Sequence, residues 1–587
     1  MSDSNTGLVP GPSTGPLTTP TKRAAFAASA DAGPSRVRLA GASPAYSSRR
    51  HSLYGIEDRV VIDPGSRVWK VGFSGEPDPR SVFHSLDSKD VEETRATEAW
   101  DLDLSLMGGV NGDRVEGDRL VGVRVVKKLR EAYVKYLMTD SKARKVIILE
   151  NTYLPIAVKE HIARALFDNL HVPSVSFTPS SLLALVACGR ITGLVVDVGW
   201  LESTITPVYH SRPLYMLSRS TPLAGRKLHR HLRTLLHHHA IYIPPPSSLG
   251  NIHDRPRTKG LPMDVLSDEF IERVLTESCF VGNIHLNSVV EEEDQRMDID
   301  EPSTEESESS RIAQEWEKRY ADSSTAKDLS FRIPSRSGFG PTTIMVPGWI
   351  RERVAELLFT DEEGSEDQSI LKMILDCLSK LPIDLRPPLI SSLLIVGGTA
   401  SLPGFIPRLR ISLLHHLLPP PTPSTDPHPK HPLNTTESRR EEASQWKKKS
   451  REPYKEIYGL ASSLAIINDP SPVDGKSGNG PRWTPGLMGW VGGSLAGALK
   501  TSSNEITRES YDTSLSHSIA RGEVYKEELD LSSIEISTSL GINIEDLKVG
   551  RALGGGDDED EYGTKRKRGW RDHVVGMDDW TRGAVKV

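Results

Sequence analysis

The chain has 587 residues, of which 37% are apolar and 26% charged, with 47 glycines, 41 prolines and a formal net charge of −7. That length holds roughly two to four ordinary domains, while so low an apolar share beside so much Gly and Pro implies that part of the chain builds no core. The charge gives no argument for nucleic acid or an anionic membrane as partner, and no apolar run approaches the ~18 residues needed to cross a bilayer. Cys188, Cys279 and Cys377 lie far apart in apolar surroundings. They make neither a metal-ligand cluster nor a disulfide framework, which suits a reducing compartment. The amino terminus lacks the basic start, apolar core and cleavage site of a secretory leader.

In chain order, residues 1–55 are rich in Ser, Thr, Pro, Ala and Gly and read as a disordered tail. "VVIDPGSRVWKVGFSG" (Val60 to Gly75) then reads as strand, tight turn, strand. The segment from Phe83 to Lys145 is charged and holds a Gly-rich break, "GGVNGDRVEGDR". "KVIILE" and "TGLVVDVG" read as buried strands. "PIAVKEHIARALFDNL" spaces Ile156, Val158, Ile162, Ala163, Leu166 and Phe167 as a helix, with Pro155 in its first turn. "HRHLRTLLHHHA" gathers five histidines between His229 and His239 on a predicted helix. With no acidic or Cys partner close in sequence, a solvated face is expected there rather than a metal site. "EEEDQRMDIDEPSTEESESS" lies in a flexible insertion predicted over about 286–340, and a Pro-rich stretch lies in a second over about 418–452. Between them "WIRERVAELLF" sets Ile350, Val354, Leu357 and Leu358 on one helical face, and "SLLIVGGTASLPGF" is a strand running into a Gly-rich turn. "LMGWVGGSLAGAL" is rich in small residues and should pack closely. From about 526 the chain turns polar and charged. Its "KRKR" (Lys565 to Arg568) is open to a nuclear-signal reading or to plain neutralisation of the preceding "DDEDE".

A strand that ends in Asp-x-Gly can aim backbone N–H groups at a phosphate, but it is also a common turn signal. The order of three such turns is less common: "VVIDPGS", "VVDVGW" more than a hundred residues later, then "LLIVGGTASLPG". That is the layout of a nucleotide cleft between two α/β lobes. These stretches, with "VIILENTYLP", "LFDNLHVPSV", "LVACGRITGLVVDVG", "TPLAGRKLHRHL" and "GWVGGSLAGAL…ITRESYD", resemble actin in actin order over most of residues 57–515. "VPSVSFTPSSLLAL", "TESCFVGN" and "ILDCLSKLPIDLRPPL" look closest to the actin-related proteins at the pointed end of dynactin. The resemblance implies an α/β, actin-like fold with a first lobe over 56–189, a second over 190–480 carrying both insertions, and a return to the first over 481–525.

It also implies a cofactor site for ATP with Mg²⁺. Asp63, Gly65, Ser66 and Lys70 match the first phosphate turn, Asp197 and Gly199 the second, and Gly397, Gly398 and Thr399 the adenosine-side turn. Asp63 and Asp197 would face the metal through water, as hard oxygen ligands do for Mg²⁺. The departures bear on activity. Pro64 removes an N–H, and Arg67 stands where actin has glycine, open to pairing with a phosphate or pointing to solvent or a local carboxylate. Trp200, Thr204 and Ser180 stand where actin positions its attacking water, and Leu275 and Thr276 replace a Lys-Glu pair at the nucleoside. Hydrolysis needs a held nucleophile and a group to orient it, so no catalytic residue is expected.

The implied function is a cytoplasmic, cytoskeletal subunit capping dynactin's short actin-like filament. Its partners would be filament subunits and other pointed-end subunits, with dynein served indirectly and neither nucleic acid nor membrane insertion involved. The segment between Phe83 and Lys145 lacks actin's inserted loop and would refuse further actin, with Asp87 to Asp103 meeting other pointed-end subunits. A nuclear subunit of a chromatin remodeller, or an ATPase or kinase of the same fold, are the alternatives.

Overall fold

The structure is a computed structural model and describes residues 59–85, 112–246, 255–282, 305–334, 340–361, 367–419, 452–471, 481, 483–501 and 505–520. The expected tails at 1–55 and 526–587, the Asp87 to Asp103 face, "KRKR" and nearly all of the 418–452 insertion lie outside these residues.

The first sheet starts with β1 (Val60–Pro64), β2 (Val68–Phe73) and β3 (Ser81–His84), an antiparallel meander. Helix α1 (Gly112–Glu131) follows, so the Gly-rich break is helical from Gly112 onward. Its stripe Val121, Val125 and Leu129, spaced four apart, is buried in the first lobe's core, and that burial outweighs the low helix propensity of its glycines. β4 (Val146–Glu150) runs parallel to β1, and β5 (Ser174–Pro179) parallel to β4, with α2 (Ile156–Arg164) crossing between them. β1 and β4 are apolar almost throughout because both faces are covered, while β5 buries Ser174, Ser176 and Thr178 between its apolar residues. α3 (Ser180–Ala187) leads out of this sheet.

The second sheet takes β6 (Gly193–Val198), β7 (Ser203–Tyr209), β8 (Arg212–Pro213) and β9 (Arg219–Thr221). α4 (Gly225–His239) carries the histidines. A third, antiparallel sheet has the order β11-β10-β13-β12, from β10 (Ile241–Ile243), β11 (Thr258–Lys259), β12 (Leu329–Ile333) and β13 (Thr342–Val346). Around these lie α5 (Asp268–Ser278), α6 (Glu305–Tyr320), α7 (Gly348–Arg353), α8 (Ile370–Lys380) and α9 (Arg386–Ile390). β14 (Leu393–Val396) joins the second sheet parallel to β6 and runs through a turn into α10 (Phe405–Leu417). The chain then returns to the first lobe. α11 (Met488–Ala498) packs on α3, β1 and β4, and β15 (Ile506–Thr507) pairs with β5 ahead of α12 (Arg508–Ala520).

Two expectations are corrected. The stretch 286–340 is not wholly a flexible excursion, because its described part contains α6 and β12. Ala313, Tyr320 and Phe331 are buried in the second lobe's core. A sparse stripe of Ala313, Trp316 and Tyr320 holds α6 down although its other positions are polar. The histidines of α4 do not form a solvated face either. His229 and His239 are buried, His231 packs on Trp316 with ring centroids 4.2 Å apart, and His239 Nε2 meets the Ala313 carbonyl at 3.0 Å. α6 covers them. Among the described residues, no group of three or more His, Cys, Asp or Glu is arranged to hold a metal.

Deleting 305–333 is therefore expected to destabilise the protein by about 5 kcal/mol, at roughly 1.5–3 kcal/mol per large buried side chain. That is comparable to the whole stability of a domain. Scanning calorimetry is the check, and a wild-type transition in the deletion would show α6 and β12 to be dispensable.

Candidate functional site

The first turn joins β1 to β2, whose register sets Asp63 opposite Lys70 and Pro64 opposite Trp69. Lys70 Nζ lies 2.5 Å from Asp63 Oδ2. Gly65 donates its N–H to the Asp63 carbonyl at 3.1 Å, which tightens the turn. Ser85, just past β3, fixes the apex: its hydroxyl donates to the Ser66 carbonyl at 2.7 Å and its N–H to the Arg67 carbonyl at 2.9 Å.

The second turn joins β6 to β7, with Asp197 opposite Thr204. Gly199 donates its N–H to the Glu202 carbonyl at 3.2 Å. The third turn follows β14, which sets Val396 beside Asp197. Gly397 has φ +98°, and a Cβ there would stand 2.2 Å from the Val198 carbonyl oxygen and 2.6 Å from Asp197 Oδ1. Only glycine meets both demands. Gly398 opens the short turn Thr399–Ser401, and Thr399 donates its hydroxyl to the Gly199 carbonyl at 2.7 Å. The second and third turns are thus welded together, with Gly397 N–H tied to Pro485 by a 3.3 Å bond to its carbonyl.

Electrostatics link the lobes. Asp197 keeps some accessible surface, but protein atoms crowd it. That enclosure and the nearby Asp63 push its carboxyl up to about 6, while Lys70 pulls the other way. Burial, then the charge on Asp197, push Glu202 up to about 7. Carboxylates gathered this closely call for positive charge between them, and Lys70, 2.5 Å from Asp63, supplies part of it. The donor set therefore suits a cation near Asp63 and Asp197 and an anion near Lys70.

Arg67 is resolved in favour of a carboxylate, though not a local one. Its Nη2 lies 2.7 Å from Glu272 Oε2 on α5, and its guanidinium lies over the Trp200 ring, 4.2 Å from the centroid. Thr276 is exposed and bonds back to its own helix, and Leu275 packs on the second lobe's core. Glu202 and Glu272 were not legible as site residues. Glu202 lies outside any Asp-x-Gly pattern, and nothing in sequence links Glu272 to a turn 205 residues earlier. The one available signal was Glu272 on the same helical face as Asp268, four residues before it.

Two α/β lobes, each with an Asp-bearing hairpin turn, make up a two-lobed α/β fold. Residues 57–440 match the Actin family, and the chain belongs to that family. Its relatives are distant. It is 23% identical to Actin-related protein 10 of Dictyostelium discoideum over 509 residues, covering 77% of this chain and 85% of that protein. It is 24% identical to Centractin of Saccharomyces cerevisiae over 384 residues, 62% and 83% of the two chains. It is 25% identical to the SWI/SNF and RSC complexes subunit arp42 of Schizosaccharomyces pombe over 377 residues, 60% and 82% of the two chains. The actin fold in general binds ATP with Mg²⁺.

Proposed function

We propose that this chain is a non-catalytic, actin-related structural subunit that caps the pointed end of dynactin's actin-like filament and so supports dynein-driven transport in the cytoplasm. The observation that carries this reading is the similarity to Actin-related protein 10, which runs over 77% of this chain. The likeness to Centractin is in keeping with a filament-forming partner of the same family. Exposed Leu495 on α11 and Leu499 just past its end offer apolar surface for docking on the filament. We assign docking to α11 and Ile506 to Asp512 together with the segment from Ile350 to Phe359, and refusal of further actin to the chain over 84–144 and 226–281. Among the described residues, no helix is long and apolar enough to cross a membrane.

In this reading Lys70 binds a nucleotide's phosphates, Asp63 and Asp197 take Mg²⁺ through its water, and Gly397, Gly398 and Thr399 support the adenosine side. Gly65, Ser66 and Gly199 shape the two phosphate turns. A bound Mg²⁺ would supply the positive charge that relieves the Asp63–Asp197 repulsion, and a nucleotide bound with it only to the folded state would add to stability. Trp200, Thr204 and Ser180 stand in place of the groups with which actin orients its attacking water. Glu202 qualifies this, because a carboxyl pushed up to about 7 can exchange a proton near neutrality.

Affinity purification of the full chain from its own cells, followed by a phosphate-release assay, tests the proposal. Filament and pointed-end subunits should co-elute and release should stay at background. Co-elution with remodeller subunits would favour the nuclear reading, for which the likeness to the SWI/SNF and RSC subunit speaks. Steady release abolished by Asp197→Asn and by Glu202→Gln would make the protein an ATPase.

A further inference from the structure

The two turns that would flank a phosphate differ from the actin pattern at their tips, through Arg67 in the first and Trp200 in the second. In the fold these two residues touch. The guanidinium carbon of Arg67 lies over the indole, 4.2 Å from the ring centroid, a cation–π contact of a kind made more often by Arg than by Lys. Its Nη2 is simultaneously 2.7 Å from Glu272 Oε2. Arg67 belongs to the first sheet's hairpin, whereas Trp200 and Glu272 belong to the second lobe. The Arg67 side chain is 19% exposed and that of Glu272 35%, so water screens the pair less than it would an open surface pair.

Both jaws are held before they meet. Ser85 fixes the Arg67 apex through the two bonds given above. A Cβ on Gly225 would stand 2.9 Å from Trp200 Cε3, and Arg226 donates its N–H to the Trp200 carbonyl at 2.8 Å. His229 presents an edge-on ring to the indole, with centroids 5.6 Å apart. His84 on β3 adds a second first-lobe group, its Nε2 3.9 Å from Glu272 Oε1. A pre-set pair loses little side-chain freedom on closing, unlike two free surface chains.

We propose that Arg67, Trp200 and Glu272 form a clasp that holds the two lobes together independently of nucleotide. A polyphosphate then enters only by taking Arg67 away from Glu272. The inference deepens the reading of the turns as a phosphate site and rests on it. Glu272 acts as an internal stand-in for phosphate: its carboxylate offers the guanidinium the same planar, two-oxygen face. Charge balance has a direct consequence. Removing Glu272 leaves Arg67 without that carboxylate partner, which raises the positive charge available to an anion at the first turn. Removing Arg67 weakens both closure and phosphate binding.

The test uses the full chain, inorganic tripolyphosphate as probe, and Glu272→Gln, Glu272→Ala and Arg67→Ala. Calorimetric titration gives affinity, and hydrogen exchange follows the β1–β2 turn and α5. Glu272→Gln keeps size and polarity, so a folding defect in Glu272→Ala does not end the experiment. The expected result is that every variant exchanges faster at both segments together. Both Glu272 variants should bind tripolyphosphate about tenfold more tightly than wild type, the scale of one charge-assisted hydrogen bond regained, and Arg67→Ala should bind less tightly. Wild-type binding that is indifferent to Glu272 overturns the clasp and leaves the phosphate reading standing. No binding by any variant overturns both. Faster exchange in the β1–β2 turn alone, with α5 unchanged, also overturns the clasp, because the two lobes would then not be coupled through it.

Discussion

Gly492→Ala is expected to cost the protein about 3 kcal/mol or more, the upper range for overpacking a filled core. A Cβ at that position would fall 1.7 Å from the Leu183 carbonyl oxygen and 2.4 Å from its carbon. Backbone cannot rotate aside as a side chain can, so α11 and α3 would have to part. The neighbouring positions leave no room for the helix to slide. A Cβ on Gly493 would meet Leu149 Cδ1 and Val61 Cγ1 at 3.0 Å, and one on Gly497 would meet Ser74 Cβ at 2.7 Å. Trp490 anchors the other side, fully buried, with its indole N–H donating to the Val61 carbonyl at 3.2 Å. Gly459→Ala is the control: nothing lies within 4 Å of a Cβ there, and its cost should stay within about 0.5 kcal/mol. Urea unfolding curves measure both, and a Gly492→Ala midpoint equal to wild type would mean that α11 does not pack as described.

Acid is expected to loosen α6 from α4. Burial against Trp316 lowers His231 from its ordinary 6.5 to about 4. Burial is also the leading cause of lowered values at His229, His238 and His239, with Glu317 and the Ala313 carbonyl opposing it at His239. The sign follows from which state holds more protons. Above about pH 6.5 both folded and unfolded His231 are neutral, and the full stability is present. As pH falls from there towards 4, the unfolded chain takes up a proton that the fold refuses, and stability drops by about 3 kcal/mol. Urea midpoints across this window, with hydrogen exchange over 305–320, should record the loss. His231→Phe keeps a ring against Trp316 and should flatten much of the slope; an unchanged slope in that variant would assign the acid sensitivity elsewhere.

The strands and turns were legible because each has a short-range cause. "VVIDPGS" and "TGLVVDVG" are apolar runs closed by turn residues, and the actin order of the motifs supplied the arrangement. α6 was hidden because its acidic and Ser-rich positions swamp a stripe that binds through Ala313, Trp316 and Tyr320 alone. The stripe is helical in spacing, but its value depends on the histidine face of α4, far away in sequence. The same holds at the site. Asp63, Lys70 and Asp197 could be aligned with a family pattern residue by residue. The pairing of Arg67 with Glu272 could not, since it depends on how two lobes meet.

The return of the chain to the first lobe also imposes a schedule on synthesis. Val61, Ile147 and Leu149 form a core patch with Trp490, Val491 and Ala496, and the Trp490–Val61 bond spans 429 positions. At ribosomal rates of about 5–20 residues per second, that separation is roughly 20–90 seconds. Throughout that interval the emerging first sheet carries an apolar face whose covering helix does not yet exist. The glycines of α11 shape that cover closely, as the 1.7 Å a Cβ on Gly492 would leave to the Leu183 carbonyl shows. The first lobe therefore cannot complete its core until α11 has left the ribosome, whatever the speed at which its earlier elements form.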